Sequence, residues 1–443
     1  MINIGGMKPM SLLSKKWPLL LLIILGLSLV FTIDRNKDIF GVIPPPPPVK
    51  YSSNFTKFDP VTAFDEPSSW TNNQGDFALI NKNIKQNGTG SILLDTGKFG
   101  NSAVIKRVMK KPFIVPKNDL VKLWVYAPEI AKDHEIKVEL GQGGFNRSAT
   151  GYLIGLTENG WWCMLKKRSD FILDKGFDWN KPIDRIRISL EGRNITRPNI
   201  QAYIDSLFIG AKDKTNIIMT FDDGFKSDYL DAFAYMQPRG MLGTSFVAAI
   251  DIGNTAYLNH NQMDKMYEKG WDFGNHTYGH SNLSSLSPED RLSEIIKGSP
   301  NGYSRSKDYL ALPFGEFKNT TPELIKANVK AARITEIYPI ETATGRINPY
   351  CYPTTVTLIP STSLAKAKSD IDEAVLYGYS AIIVGHELVE ENPTGYQWSR
   401  QDFFSLIDHI KHLRDNGKLE VKTMREFHEG LEQVGQDGLA RAH

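Results

Sequence analysis

Apolar and polar positions alternate in short runs between about Tyr51 and Lys212, and after Thr215 the pattern changes to apolar runs separated by helix-length segments. The alternation is clearest in Ser91 to Leu94, Val121 to Tyr126, Ile136 to Leu140, Ile186 to Leu190 and Ile200 to Ile204, with Gly, Asn, Asp and Pro between the runs. A period of two bounded by turn residues predicts an all-β sandwich over 51–212. In the second region, Ile217-Ile218-Met219 and Ala381 to Val384 read as strands, and Ser287 to Lys297 and Phe403 to Arg414 read as helices. Strand and helix in alternation over 213–432 predict an α/β fold with a mainly parallel sheet or barrel. Ser287-Pro288-Glu289-Asp290 adds a helix start: an N-cap serine, a proline in the first turn and an acid three residues on.

The ends of the chain differ from both regions. Lys8, Lys15 and Lys16 precede an apolar run from Trp17 to Ile33, which passes into Thr32-Ile33-Asp34-Arg35 without a small-x-small cleavage site or a cysteine to accept a lipid. Residues 1–34 are expected to be a cytoplasmic stub with an uncleaved signal anchor, the basic flank placing the rest outside the membrane; cleavage would instead make the protein secreted. The unbroken run Pro44 to Pro48 makes 35–50 a semi-rigid, proline-rich linker. Residues 433–443 form a C-terminal tail.

Charge and cysteine content narrow the classes of partner. With 52 Lys plus Arg against 50 Asp plus Glu, the net charge of +2 leaves no electrostatic footprint for nucleic acid. The two cysteines, Cys163 and Cys351, fall in different predicted domains, which argues against a disulfide framework and a thiolate metal site.

Four short segments carry candidate chemistry, and each follows a strand-like run: Thr220-Phe221-Asp222-Asp223-Gly224, Asn275-His276-Thr277-Tyr278-Gly279-His280, Leu312-Pro313-Phe314-Gly315 and Gly385-His386-Glu387. Sites in parallel α/β folds are built at such strand ends. Taken singly, Asp-Asp-Gly is ordinary turn chemistry and a lone histidine is more often structural. The His-x-x-x-His spacing sets two imidazoles on one side if the segment is helical. Jointly, the segments supply an Asp and two His as metal ligands with an open position for water, a second carboxylate as base and a separate histidine as acid.

In order and spacing these motifs resemble the polysaccharide deacetylase family, carbohydrate esterase family four, over roughly Lys214 to Leu431. The resemblance implies a distorted (β/α) barrel, an acetylated polysaccharide as substrate and a divalent cation, Zn2+ first, with Co2+ or Ni2+ as alternatives. It also implies Asp223, His276 and His280 as metal ligands, Asp222 as general base and His386 as general acid. The backbone N–H of Phe314, beside Pro313, would meet the oxyanion, and Thr277 would fix its loop by a side-chain to backbone hydrogen bond. The region 51–212 is loosely similar to jelly-roll, carbohydrate-binding-like modules, especially along Ala202 to Gly210.

Two departures from the family pattern stand out. Ala311 occupies the position of an arginine that helps hold the base, with Arg333 and Arg346 as candidate replacements, and no Asp and Trp motif occurs between Gly315 and His386. Asn275-His276-Thr277 and Asn282-Leu283-Ser284 are formal glycosylation sequons at the site. Trp70, Trp124, Trp161, Trp162 and Trp179 are candidate sugar platforms, with core or edge packing as the commoner fate of such residues. The expected activity is removal of N-acetyl groups, with O-acetyl ester hydrolysis or a catalytically silent carbohydrate-binding role as alternatives.

Overall fold

The computed structural model describes residues 58–62, 70–74, 76–81, 90–96, 102–128, 134–154, 160–192, 200–210, 214–315, 322–335, 349–350 and 352–430. The expected anchor and linker, Arg346 and the tail lie outside the described residues. Among the described residues, no helix is long and apolar enough to cross a membrane.

Each alternating run becomes a strand. Between Phe58 and Gly210, strands build two six-stranded sheets with antiparallel pairing. Neighbours in the first are Asp76–Asn81, Ser91–Asp95, Gln201–Gly210, Leu120–Ala127 and Gly160–Lys166, with Phe58–Thr62 added to Gln201–Gly210. The second runs Ile172–Leu173, Ser148–Ile154, His134–Gly141, Ile183–Gly192, Ser102–Phe113 and Thr71–Gln74. Ile92, Leu94, Val121, Leu123 and Val125 of one sheet meet Ile105, Ile136, Val138, Ile186 and Ile188 of the other in one core. The two sheets thus bury their apolar faces against each other, as the period of two requires.

The strand Leu120–Ala127 departs from a simple one-sided pattern, because all its positions are buried. Val121, Leu123 and Val125 enter the sandwich core, whereas Leu120, Trp124 and Tyr126 join a second cluster with Leu165, Tyr203, Phe208 and Tyr377. Tyr377 ends the helix Leu364–Tyr377 of the C-terminal half, and on the same helix Glu373 accepts a 2.6 Å hydrogen bond from Lys167 Nζ. The outer face of this sheet is therefore a docking surface for the second domain. Of the tryptophans proposed as sugar platforms, Trp124 lies in this buried cluster, Trp70 is in the core and Trp179 packs against it. The side chains of Trp161 and Trp162 lie outside the described residues.

From Thr215 onward the strands are parallel. Neighbours in the sheet are Tyr352–Pro353, Ala331–Ile334, Tyr309–Ala311, Asp272–Asn275, Thr244–Val247, Thr215–Phe221, Ala381–Gly385 and Val356–Thr357, and Leu419–Lys422 also pairs with Thr215–Phe221. Among the described residues no pairing joins the two end strands, so the sheet is an open, distorted barrel. Alternate residues of Thr215–Phe221 face opposite ways. Ile217, Met219 and Phe221 pack outward with Trp271, Phe403 and Ile407, and Ile218 packs with Phe246, Tyr309 and Val384.

Both predicted helices form. Pro288–Gly298 begins at Ser287, whose Oγ accepts from Asp290 N at 3.1 Å and donates to Asp290 Oδ2 at 2.8 Å. Arg400–Asp415 is capped by Ser399, which accepts from Asp402 N. Each cap satisfies a backbone donor that the first helical turn leaves unpaired.

Because Trp124 is shielded on a face that does not belong to the sandwich core, Trp124→Ala is expected to destabilise the chain by about 3–5 kcal/mol. A loss below about 1 kcal/mol in urea unfolding, the range of an ordinary surface change, would show that this face is open to solvent.

Candidate active site

The parallel sheet points all its C-terminal strand ends one way, and this gathers the four segments. Asp222 and Asp223 follow Thr215–Phe221, His276 follows Asp272–Asn275, Phe314 lies just beyond Tyr309–Ala311 and His386 follows Ala381–Gly385. Asp222 N donates to Gly385 O at 2.9 Å, tying the first and last segments together.

The backbone here is unusual. Among the described residues, the non-glycine residues with positive φ are Asp223 (71°), Thr277 (65°), His280 (53°), Phe314 (59°) and Asn392 (52°), and all but Asn392 lie in the motif segments. Such conformations cost on the order of 1–3 kcal/mol each and persist only where the surroundings enforce them. Asn275 supplies much of that enforcement: its Oδ1 accepts from Thr277 N at 2.7 Å, and its Nδ2 donates to Ile295 O at 2.7 Å. Thr277 Oγ1 accepts from Ser281 N at 3.3 Å, the expected loop-fixing bond. Gly298 lets the following helix approach so closely that a Cβ there would collide with Thr277 and the Asn275 amide. The buried Asn275 amide also rules out use of the first sequon.

The helix that would set the two imidazoles on one side does not form. The segment His276 to His280 is not helical; the left-handed residues Thr277 and His280 fold it into a loop. The imidazoles still converge, with ring centroids 4.8 Å apart.

Asp223, His276 and His280 each present one donor atom, all within 4.8 Å of one another. Asp223 Oδ1 lies 3.4 Å from His276 Nε2 and 3.2 Å from His280 Nε2. His276 Nδ1 donates to the Ala311 carbonyl at 2.9 Å, because a carbonyl can only accept; this leaves Nε2 to face the carboxylate. One carboxylate and two imidazoles so placed fit a divalent cation with an open coordination position. Burial would push the Asp223 carboxyl up, but the adjacent histidines hold it below the ordinary range. His280 is pushed down by burial and by His276.

Asp222 has a different principal partner. Its two oxygens accept from Arg333 Nη2 at 2.5 Å each, and the arginine is completely buried. Arg333 also donates from Nη1 to Thr354 Oγ1 at 3.3 Å, and its guanidinium lies 5.5 Å from the Phe246 ring centroid. Burial alone would raise the Asp222 carboxyl, and Arg333, His276 and His386 together outweigh it, keeping the group below the usual carboxylate range. Arg333 lies on Ala331–Ile334, in register with Ala311 on the neighbouring strand. The arginine missing at Ala311 is thus met by one arriving from the next strand.

His386 Nε2 is 4.0 Å from Asp222 Oδ2. Its Nδ1 is buried without a hydrogen-bond partner among the described residues, in keeping with the missing Asp motif. Burial lowers its pKa despite the two carboxylates nearby, so at neutral pH the ring rests uncharged. Phe314 packs its ring 4.9 Å from that of His280, and Pro313 is buried behind it.

Residues with no motif-level signal complete the site. Asn275 stood only as part of a sequon, and Gly298 lies in an ordinary helix. Asp228 is fully buried in a π-helical turn, Asp228–Phe233, and accepts from Ser245 Oγ at 2.5 Å. Burial drives its carboxyl well above the ordinary range, with Asp222 and Asp223 adding to the shift. A single buried acid in a helical pattern carries no mark in sequence to distinguish it from a surface one.

A cation-binding triad beside a fixed carboxylate and a histidine, at the strand ends of a parallel barrel, is a site of the metal-assisted hydrolytic class. Residues 210–331 match the family model described as polysaccharide deacetylase. A chitin deacetylase of Arthroderma benhamiae is 35% identical over 103 residues, 20% of this chain and 27% of its own. The poly-beta-1,6-N-acetyl-D-glucosamine N-deacetylase of Staphylococcus epidermidis is 29% identical over 136 residues, 27% of this chain and 47% of its own. The chain thus spans less than half the length of these curated relatives. Among solved structures, peptidoglycan deacetylase PdaC from Bacillus subtilis aligns at 18% identity with a TM-score of 0.34, covering 52% of this chain and 96% of that one. The likeness to the polysaccharide deacetylase family is thus carried by the matched segment, residues 210–331.

Two stability measurements follow from the buried charges. Arg333→Met leaves Asp222 unpaired in the interior and is expected to cost about 3–5 kcal/mol in urea unfolding. Adding Ala311→Arg to an Arg333→Ala chain should recover part of the loss, and no recovery would mean that the neighbouring-strand position cannot reach Asp222.

For Asp228 the folded pKa is raised, so the folded chain holds its proton longer than the unfolded chain. Its contribution is fully present below the unfolded value near 3.8 and declines as pH rises through the folded value. Asp228→Asn should therefore gain stability relative to the parent between pH 4 and neutrality. Parallel stability profiles for the two chains would contradict this.

Proposed function

We propose that this protein is a metal-dependent deacetylase that removes N-acetyl groups from an extracytoplasmic polysaccharide, poly-N-acetylglucosamine-like, peptidoglycan or chitin-like, and releases acetate. The observation that carries the reading is the division between two adjacent carboxylates: Asp223 turned to His276 and His280, Asp222 turned to Arg333 and His386. A cation-binding site alone has no use for the second arrangement. The relatives' names support an N-acetylated glycan.

Asp223, His276 and His280 would hold a divalent cation, Zn2+ first among those that suit such donors, which would supply Lewis acidity to water and to the acetyl carbonyl. Asp222, kept ionised and oriented by Arg333, takes a proton from the attacking water as the new C–O bond forms. The backbone N–H of Phe314 faces the developing oxyanion, in a turn that Gly315 N closes onto Leu312 O at 3.0 Å. His386, beside Asp222, takes over the water's proton from the Asp222 carboxyl, and the carboxylate so restored stabilises the charge on the ring. His386 passes that proton to the amine nitrogen as the C–N bond breaks, leaving acetate and a free amino sugar. The basic flank and apolar run at 8–33 support a membrane anchor with the catalytic domain outside. The sandwich, with one face committed to docking, serves this reading as a carbohydrate-binding-like module.

Acetate release from peptidoglycan, chitin oligomers, poly-N-acetylglucosamine and acetylated xylan, with and without chelator, tests the proposal. Chelator-sensitive release from an N-acetylated polymer is expected. Release from acetylated xylan alone would replace amide with ester hydrolysis, and no release from any would reject the activity.

The paired aspartates should fail differently. Asp223→Asn is expected to weaken cation binding and to lose activity that excess metal partly restores. Asp222→Asn should retain the cation and lose about 10²–10⁴-fold in rate whatever the metal concentration. Equal metal rescue of both variants would show that the roles are misassigned.

A further inference from the structure

Among the described residues the exposed aromatic side chains are Tyr278 (38%), Phe314 (60%) and Tyr396 (66%). Tyr278 and Phe314 belong to motif segments, whereas Tyr396 lies in a loop to which no motif points. No other Phe, Tyr or Trp whose side chain is described is exposed, and these three lie in loops of the C-terminal half.

Contacts place two of them at opposite ends of the chemical groups. Phe314 packs on His280, His280 meets Asp223, the adjacent Asp222 approaches His386, and the Tyr396 ring lies 5.0 Å from the His386 ring at an interplanar angle of 35°. The Tyr396 loop is held rather than loose. Leu388–Val389 pairs with Trp398–Ser399, Trp398 N donates to Glu387 O at 3.1 Å, Trp398 Nε1 donates to Thr362 O at 2.9 Å, and Gln397 Nε2 donates to Glu387 Oε2 at 2.7 Å. Asn392 (φ 52°) and Gly395 (φ 58°) turn the chain back within it. A ring kept in water on an anchored loop, above the proposed acid, offers a flat apolar face where the leaving amine's sugar must sit.

We infer that Tyr396 is a specificity-determining residue that stacks on a pyranose ring next to His386, so that the substrate is an oligosaccharide reaching from Phe314 to Tyr396 and not a single sugar. This rests on the deacetylase reading for the identity of the glycan. The stacking itself requires only that the site receive a sugar chain. An aromatic platform contributes through the faces of its ring and not through its hydroxyl, so phenylalanine should substitute for tyrosine.

The test uses the full chain with zinc and two probes, N-acetylglucosamine pentamer and the monosaccharide. Calorimetric binding is measured on Asp222→Asn, alone and combined with Tyr396→Ala or Tyr396→Phe, and kinetics are measured on chains with Asp222 intact. Tyr396→Ala is expected to weaken pentamer binding and raise KM by up to about tenfold, the range of one aromatic contact, with a much smaller change in kcat. Tyr396→Phe should bind as the parent does, and the pentamer should bind more tightly than the monosaccharide in both. Equal pentamer binding with and without the Tyr396 ring, or no pentamer binding by the parent, overturns the inference. Pentamer binding without acetate release by the intact chain would instead reject the deacetylase reading while leaving the platform standing.

Discussion

The ion pair between Asp222 and Arg333 is the constraint on which the rest of the site depends. Both side chains are buried, and two charges removed from water are tolerable only when they meet each other in good geometry. The pair holds both Asp222 oxygens on Arg333, while Asp223 Oδ1 meets His276 and His280. Two adjacent carboxylates, identical in sequence, thereby acquire different neighbours and different chemistry. The arginine comes from the neighbouring strand, in register with Ala311.

A second constraint is conformational. Asp223, Thr277, His280 and Phe314 sit in the left-handed region that side-chain-bearing residues avoid, so the site is held by its surroundings against local preference. Asn275 bonds on both sides of the histidine loop, and the helix Pro288–Gly298 can press on that loop because its last residue lacks a Cβ. The cost of positioning is met by packing at some distance in sequence from the residues that benefit. That arrangement places the donors without relying on a helix between His276 and His280.

The β-rich half contributes through a strand with two buried faces. Leu120–Ala127 closes the sandwich core on one side and meets the helix Leu364–Tyr377 on the other. A face so used is withdrawn from ligand binding, which removes Trp124 from consideration as a sugar platform. Exposed aromatic surface lies instead at the strand ends of the other domain.

Periodicity alone determined much of this molecule. The alternating runs became antiparallel strands, the apolar runs after Thr215 became parallel ones, and Ser287 and Ser399 capped helices, because these outcomes depend on neighbours a few residues apart. The motif residues were also legible: Asp222, Asp223, His276, His280 and His386 stand at strand ends, where a parallel sheet collects them. Only the tertiary structure decided which arginine holds Asp222, since Arg333 and Asp222 are 111 residues apart and meet through strand register. Likewise, Gly298 and Tyr396 have sequence neighbourhoods like those of any helix end or loop, and their roles come from what packs against them. Local pattern specifies elements and their ends, whereas a buried charge or a close approach is chosen by whatever the fold brings to it from far along the chain.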